Sequence, residues 1–312
     1  MPTIITRGSM SATGFGLFRS NTGADGTFAI FALGCAGGAS TTRNKYTYSG
    51  CVVSAGGAAT AASSRGSAAG NSTTGIFALG RVSCVVSTTR DKYTYSGCVV
   101  AAGGAATAAS FYGSAAGNGS VGIFALGQNI CAVPTVTRNK YTYSGCVVSA
   151  GGAATVASKG GSAAGNSTIG IFALGNAPSA STTRDKYTYA GCVVSAGGAA
   201  TAASRCNSAV GNSTAGIFAL GIAGGARSTT RDKYTYAGCV VSAGGAATVA
   251  SFSGSAAGNG TTGIFALGFT TTATTTRNTY TYSGCVVSAG GAATAASYSG
   301  SAASNGTANV NF

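Results

Sequence analysis

An all-β fold, a β-propeller of radially stacked four-stranded blades, is predicted by three features of the 312-residue sequence: a long tandem repeat, four strand-like segments per repeat, and a composition with 52 glycines. Ile-Phe-Ala-Leu-Gly occurs six times, with its phenylalanine at Phe31, Phe77, Phe124, Phe172, Phe218 and Phe265, so the repeat is 46–48 residues long. Tyr-Thr-Tyr keeps the same phase, starting at Tyr46, Tyr93, Tyr141, Tyr187, Tyr234 and Tyr280, and Cys-Val-Val follows each copy. Six copies fill residues 30–305. Residues 1–29 match only at their end and read as an N-terminal attachment segment or a partial blade. Residues 306–312 begin a further copy, depart from it and read as a C-terminal closing strand. The count is six blades, or seven if the two terminal segments complete a composite one.

Residues 65–103 illustrate the elements in order. Ser67-Ala68-Ala69 is the first short strand, and Gly70-Asn71-Ser72 is the turn that ends it. Gly75-Ile76-Phe77-Ala78-Leu79-Gly80 is an apolar run between glycines, too brief for a helix and suited to a buried strand. A connector of variable sequence follows. Thr89-Arg90-Asp91-Lys92-Tyr93-Thr94-Tyr95 alternates with period two, placing Asp91, Tyr93 and Tyr95 on one face and Arg90, Lys92 and Thr94 on the other. Ser96-Gly97 reads as a tight hairpin turn into the fourth strand, Cys98-Val99-Val100. A four-stranded sheet has two faces to cover, and radial stacking covers both.

Composition narrows the function. Lys and Arg total 18 against 4 acids, a net charge of +14; histidine is absent, and the acids are Asp25, Asp91, Asp185 and Asp232. Acid–base catalysis near neutral pH usually recruits His or paired carboxylates, and the common zinc and calcium sites need His, Cys or clustered carboxylates. The sequence therefore reads as a non-enzyme that calls for no cofactor and no metal. With 45% hydrophobic residues and a mean hydropathy of +0.30 it can bury a core, unlike a disordered polycation. Residues 93–137 carry no charge, yet Gly-Gly, Gly-Asn and Ser clusters interrupt them before they reach the roughly 18 consecutive apolar residues of a membrane helix. No membrane insertion is expected. The first ten residues lack the basic start and apolar run of a classical signal peptide.

Three sets of residues are candidates for function. The first is a basic ring: Arg43, Arg90, Arg138, Arg184, Arg231 and Arg277 share one repeat position, and Lys45, Lys92, Lys140, Lys186 and Lys233 another, with Thr279 in place of a sixth lysine. Arranged radially, these would attract an anionic polysaccharide, a nucleic acid or an acidic partner; alternatively they pair with aspartates of the adjacent blade or keep strand edges soluble. Only three of the six intervening positions are Asp, the others being Asn44, Asn139 and Asn278, so pairing cannot neutralise the ring. The second set is the variation between copies, confined to the stretch after the apolar strand and the pair after Ala-Ser. Phe111, Tyr112, Phe252 and Tyr298 stand out there, since exposed aromatics stack on sugars or anchor protein partners, against a background of unconstrained loop drift. The third is a cysteine layer at Cys51, Cys98, Cys146, Cys192, Cys239 and Cys285, suited to buried reduced thiols, with cross-blade pairs such as Cys84 with Cys51 or Cys98 left open. Six Asn-X-Ser/Thr sequences, among them Asn71-Ser72-Thr73, are better explained as hairpin turns using positive φ than as glycosylation sites.

The order of Arg, small residues, Gly-Asn, apolar strand ending in Gly, then an alternating Tyr strand and a hairpin resembles the kelch repeat over residues 30–305. The sequence departs from it in a single Gly such as Gly80 where kelch has a doublet, in having no Trp, and in keeping a leading Arg only near Arg65 and Arg205. The resemblance implies a binding platform that presents loops to partners. The near-identity of the copies resembles tandem-repeat proteins of bacteriophages and some bacteria, and Thr3-Ile4-Ile5-Thr6-Arg7-Gly8-Ser9 with Gly14-Phe15-Gly16 is similar to the leader of phage tail-associated proteins. These likenesses imply a virion (phage tail) or cell-surface location, with a virion or cell-surface protein bound through the N-terminal segment. The expectation is a structural or adhesive propeller that binds an anionic glycan or a protein through one face. The alternative is a self-assembling virion scaffold or filament subunit, a homo-oligomer with no separate ligand.

Overall fold

Residues 26–35, 37–82 and 85–306, with the backbone of 310–311, are described by a computed structural model. They form a six-bladed β-propeller, each blade an antiparallel four-stranded sheet. In blade 2 the strands run from the axis outward as Ser67–Gly70, Thr74–Ala78, Arg90–Thr94 and Val99–Ala102. The innermost strands of blades 3 to 6 are Ser114–Gly117, Ser162–Gly165, Ser208–Gly211 and Ser255–Gly258. Blade 1 is composite: Phe28–Ala32, Arg43–Thr47 and Val52–Ala55 come from the start of the described chain, and the innermost strand, Ser301–Ser304, from its end. Ala29 to Ala32 pair with Ser304 to Ser301 in antiparallel register, which closes the ring. The composite blade is thus one of six rather than a seventh, and Phe28 and Ala29 belong to it. Closure falls to Ser301–Ser304, not to residues 306–312 as the sequence suggests. Val310–Asn311 from that segment pairs instead with Ala116 and Ala115, on the axial side of the innermost strand of blade 3.

The core lies between blades rather than within them. Period-two alternation sends Ile76 of Gly-Ile-Phe-Ala-Leu-Gly toward blade 3 and Phe77 toward blade 1. Each of the six interfaces repeats one recipe, in which the isoleucine side of one blade meets the Phe, two Tyr and Val of the next. At the first, Ile30 and Ala303 meet Phe77, Tyr93, Tyr95 and Val100. Burying these side chains supplies the main favourable term, about 25 cal/mol per Å² of apolar surface. Where the innermost strands converge, small residues predominate, Ser-Ala-Ala-Gly in most blades: Ala68, Ala69, Ala115 and Ala116 have no exposure at all, and blade 5 alone places the larger Val210 there, also fully buried. In blades 2 to 6 the second tyrosine of Tyr-Thr-Tyr reaches inward into space that two glycines leave open; in blade 1 the same positions are Ser304 and Ala29. A Cβ on Gly70 or Gly75 would stand 2.7 or 2.9 Å from the Tyr95 hydroxyl, which donates to the Ser304 carbonyl at 2.9 Å.

Two turns differ from expectation. In the Gly-Asn turn the asparagine is not at positive φ. Its side chain makes the turn, Asn71 Oδ1 accepting from the Thr73 and Thr74 amides at 3.0 and 2.9 Å. Its Nδ2 donates to the Gly119 carbonyl of blade 3 at 3.1 Å, so the same residue ties neighbouring blades together. The outer hairpin is wider than a two-residue turn: Gly97 and Cys98 are both left-handed, at φ 79° and 55°, and all six cysteines of the layer share this conformation. None of the nine described cysteines is in a disulfide, and they range from half-buried to exposed. Cys84 lies outside the described residues.

Candidate binding face

The arginines of the predicted basic ring are not on the surface. Arg43, Arg90, Arg138, Arg184, Arg231 and Arg277 are 1–2% exposed, each at the start of a third strand and covered by the following blade. Arg43 Nη2 donates to Asp91 Oδ2 of blade 2 at 2.7 Å, and its guanidinium lies 4.7 Å from the centre of the Phe77 ring. The connector between these blades completes the arrangement, the Thr60 amide and hydroxyl donating to the same carboxylate at 3.0 and 2.5 Å. The other five interfaces repeat the stack, with guanidinium-to-Phe distances of 4.4–4.7 Å. Arg138 and Arg184 pair with Asp185 and Asp232, whereas Arg90, Arg231 and Arg277 meet Asn139, Asn278 and Asn44. Burial pushes the three Asn-partnered arginines down to about 10, because no carboxylate compensates the lost hydration. The six arginines of the eleven-residue ring therefore hold the blades together instead of facing a ligand. The lysines Lys45, Lys92, Lys140, Lys186 and Lys233 are half-buried on the third strands, and Lys45 Nζ lies 4.3 Å over the Phe28 ring.

The variable positions, separate in sequence, meet at one end of the propeller. In an antiparallel blade the connection from second to third strand and the connection to the next blade both emerge at the end where the second strand finishes. They pair residue by residue: Ser64 with Arg81, Phe111 with Gln128, Lys159 with Asn176, Arg205 with Ile222, Phe252 with Phe269, and Tyr298 with Cys35. The opposite end carries the near-invariant Gly-Asn and Ser-Gly-Cys turns.

Next to these pairs the chain makes a closed ring of hydrogen bonds around the axis. The amides of Arg65, Tyr112, Gly160, Cys206, Ser253 and Ser299 donate in turn to the carbonyls of Ser299, Arg65, Tyr112, Gly160, Cys206 and Ser253, at 2.7–3.0 Å. All six residues have φ between 51° and 61°, the left-handed conformation that turns each amide toward its neighbour. The side chains are free to differ because the ring is built from backbone. Above it lies an axial depression of about 40 Å³, lined by ring residues and by Gly66, Gly113, Gly161, Asn207, Gly254 and Gly300.

Aromatic and cationic side chains surround the depression in two groups. Arg65 lies 5.0 Å over the Tyr112 ring and Arg81 5.6 Å over Phe111, whose own rings are 5.1 Å apart. Across the axis Phe269 sits 5.3 Å from Phe252 and 5.5 Å from Tyr298, with Arg227 at 5.9 Å. Of the four aromatics singled out in the sequence, Tyr112, Phe252 and Tyr298 are half-buried on this face. Phe111 is only 8% exposed, held down by its pairing with Gln128 and by Arg81, so it supports the face rather than presenting a free ring. Burial raises the Tyr112 hydroxyl above its ordinary range against the pull of Arg65, and raises the Cys206 thiol against Ser253, Arg205, Lys159 and Arg65.

Sequence reasoning passed over Arg65, Arg81, Lys159, Arg205, Arg227 and Asn207 as site residues. The readable signal was that each stands where the other copies have something else. Asp91, Asp185 and Asp232 have no exposure, so among the described residues every charged side chain that reaches the surface is a cation. Among them, too, no three His, Cys, Asp or Glu side chains cluster to hold a metal, and no helix is long and apolar enough to cross a membrane. Neither a family model nor a curated protein matches the chain.

Proposed function

We propose that this propeller is a non-enzymatic adhesive platform that binds an anionic glycan on its variable end. The observation that carries the reading is the surface charge. The described acids are all buried, while Arg65, Arg81, Lys159, Arg205 and Arg227 crowd the one end where the copies diverge. A face with cations and no acid concentrates polyanions, and half-buried Tyr112, Phe252 and Tyr298 offer ring faces on which sugars stack. Display on a virion or cell surface, through a partner bound by the N-terminal segment, is supported by the leader resemblance alone.

The test is retention on an immobilised polyuronate compared with a neutral dextran across a salt series. The wild type is expected to be held by the polyuronate and released by salt. Replacing Arg65, Arg81, Arg205 and Arg227 with Gln is expected to weaken binding at least about tenfold and flatten the salt dependence. Equal retention on both matrices, or unchanged binding by the fourfold variant, would overturn the reading.

One observation favours the self-assembly alternative. The outermost strands present Val52, Val99, Val147, Val193, Val240 and Val286 at 56–58% exposure on edges that carry no charge, and uncharged edges invite strand pairing between copies. Sedimentation across a dilution series without ligand separates the two readings.

A further inference from the structure

The aromatic residues of the variable end are not spread evenly around the axis. The hydrogen-bonded backbone ring visits Ser253, Ser299, Arg65 and Tyr112 in unbroken succession, and the paired positions of these four neighbouring sectors hold Phe252 with Phe269, Tyr298 with Cys35, Ser64 with Arg81, and Phe111 with Gln128. The other two sectors, at Gly160 and Cys206, carry Lys159 with Asn176 and Arg205 with Ile222 instead. Within the aromatic arc the side chains stand in order. Arg81 lies over Phe111 and Phe111 against Tyr112; further on, Tyr298 lies against Phe269, and Arg227 over Phe269, all at 5.1–5.9 Å. Between these two groups is the sector of Arg65, whose guanidinium lies 5.0 Å over the Tyr112 ring. The Tyr298 hydroxyl is near enough to oppose ionisation of Tyr112. The arc is thus continuous, with a guanidinium at each end and a third near its middle.

Resting on the glycan reading above, we infer that this arc is a track for an internal segment of an acidic polysaccharide, which lies along it and is not gripped by its end. At about 40 Å³ the axial depression holds only a few waters, so the sugars pass beside it rather than entering. Arg81 and Arg227, the two ends of the arc, stand on connectors between second and third strands and hence away from the axis. A chain can therefore run on past both of them. Half-buried Tyr112, Tyr298 and Phe269 offer ring surface to the C–H faces of successive sugars, and the guanidinium edges meet their carboxylates. Single-stranded nucleic acid fits less well, because a base stacks on an open ring face, and Tyr112 already has Arg65 over it and Phe111 tilted against it. Lys159 and Arg205 lie off the track and act at longer range, drawing the polymer in.

The experiment uses the full chain, a length series of oligouronates from monomer to octamer, an octamer capped at its non-reducing end, a neutral octamer and a single-stranded oligonucleotide. Each variant takes a residue that another copy carries at the same position and so suits the fold: Arg81→Gln, as at Gln128, and Tyr298→Ser and a paired Lys159→Ser, Arg205→Ser variant, as at Ser64. Thermal unfolding checks that all three remain folded. The wild type is expected to bind the octamer about a hundredfold more tightly than the dimer, the scale of two further hydrogen bonds to charged groups, and the capped octamer as tightly as the open one. Arg81→Gln should weaken octamer binding about tenfold and Tyr298→Ser about fivefold. The off-track variant removes two cations where Arg81→Gln removes one, yet it should cost only about threefold, mainly in association rate. Affinity that levels off at the dimer, sensitivity to the cap, a larger loss from the off-track variant than from Arg81→Gln, or tighter binding of the oligonucleotide would overturn the track. Equal binding of the neutral and acidic octamers would instead overturn the wider glycan reading, and the track with it.

Discussion

Three interblade interfaces close on an aspartate and three on an asparagine, and the difference separates what geometry requires from what charge contributes. Arg43, Arg138 and Arg184 reach a carboxylate at 2.7 Å, whereas Arg90, Arg231 and Arg277 reach an amide oxygen at 3.0–3.1 Å. In both sets a connector threonine completes the site. Thr60 donates its hydroxyl to Asp91, while Thr107 receives a hydrogen bond from Asn139 Nδ2 at 2.7 Å. The stack on phenylalanine is the same. Asp and Asn thus satisfy one geometry, but only Asp returns the charge, and three buried cations remain uncompensated around the ring. A buried charge is tolerable when its partners are hydrogen-bonded and it lies on an aromatic face, at a cost in desolvation.

The largest expected effect comes from removing the partner. Asp91→Ala would leave Arg43 buried without its counter-charge, its guanidinium keeping only the Ala58 carbonyl as acceptor, and is expected to cost about 3–5 kcal/mol, whereas Asn139→Ala should cost about 1–3 kcal/mol because its interface has no ion pair to lose. Urea unfolding of the two variants compares them directly; equal losses would mean that shape alone holds the interfaces. A smaller effect tests the charge by itself. Asn139→Asp is expected to stabilise the protein by about 1–2 kcal/mol, and Asp91→Asn to destabilise it by about as much, since a charge-assisted hydrogen bond is roughly twice as strong as a neutral one. Should Asn139→Asp destabilise instead, the carboxylate's own desolvation outweighs its pairing with Arg90.

Much of this was legible because every element recurs six times. The period gave the blades, alternation gave the two faces of the Tyr-Thr-Tyr strand, and divergence between copies located the variable end. The arginines were misread because alternation tells which side of a strand a residue occupies and not what covers that side. Arg90 and Lys92 share a side, yet the first lies under Phe124 of the next blade and the second reaches half into water. The clue was the neighbouring position, which is never anything but Asp or Asn. The backbone ring was not legible at all, since left-handed Arg65, Tyr112 and Cys206 share no residue preference and their conformation is imposed by closure around the axis.

The smallest effect is a change of slope at high pH. Arg90, Arg231 and Arg277, depressed to about 10 from 12.5, leave the folded state holding fewer protons than the unfolded chain above that pH, so their contribution to stability rises with pH. The interblade tyrosines act the other way. Burial raises Tyr46 to about 12 and pushes Tyr48, Tyr95, Tyr143 and their counterparts upward as well, so the unfolded chain ionises first and stability falls above about 10. The tyrosines outnumber the three arginines, so the protein should lose stability steeply from about pH 10 upward, with tyrosinate absorbance appearing only as it unfolds. In a triple variant carrying Asn44→Asp, Asn139→Asp and Asn278→Asp, the arginines gain a carboxylate and the rising contribution is reduced, since Arg43, Arg138 and Arg184 are lowered by burial even beside their aspartates. Its advantage over wild type in urea unfolding should therefore be widest below about pH 9 and shrink above about pH 10. A constant advantage across that range would mean that the Asn-partnered arginines titrate no differently from the Asp-partnered ones, and that charge compensation is not what distinguishes the two sets of interfaces.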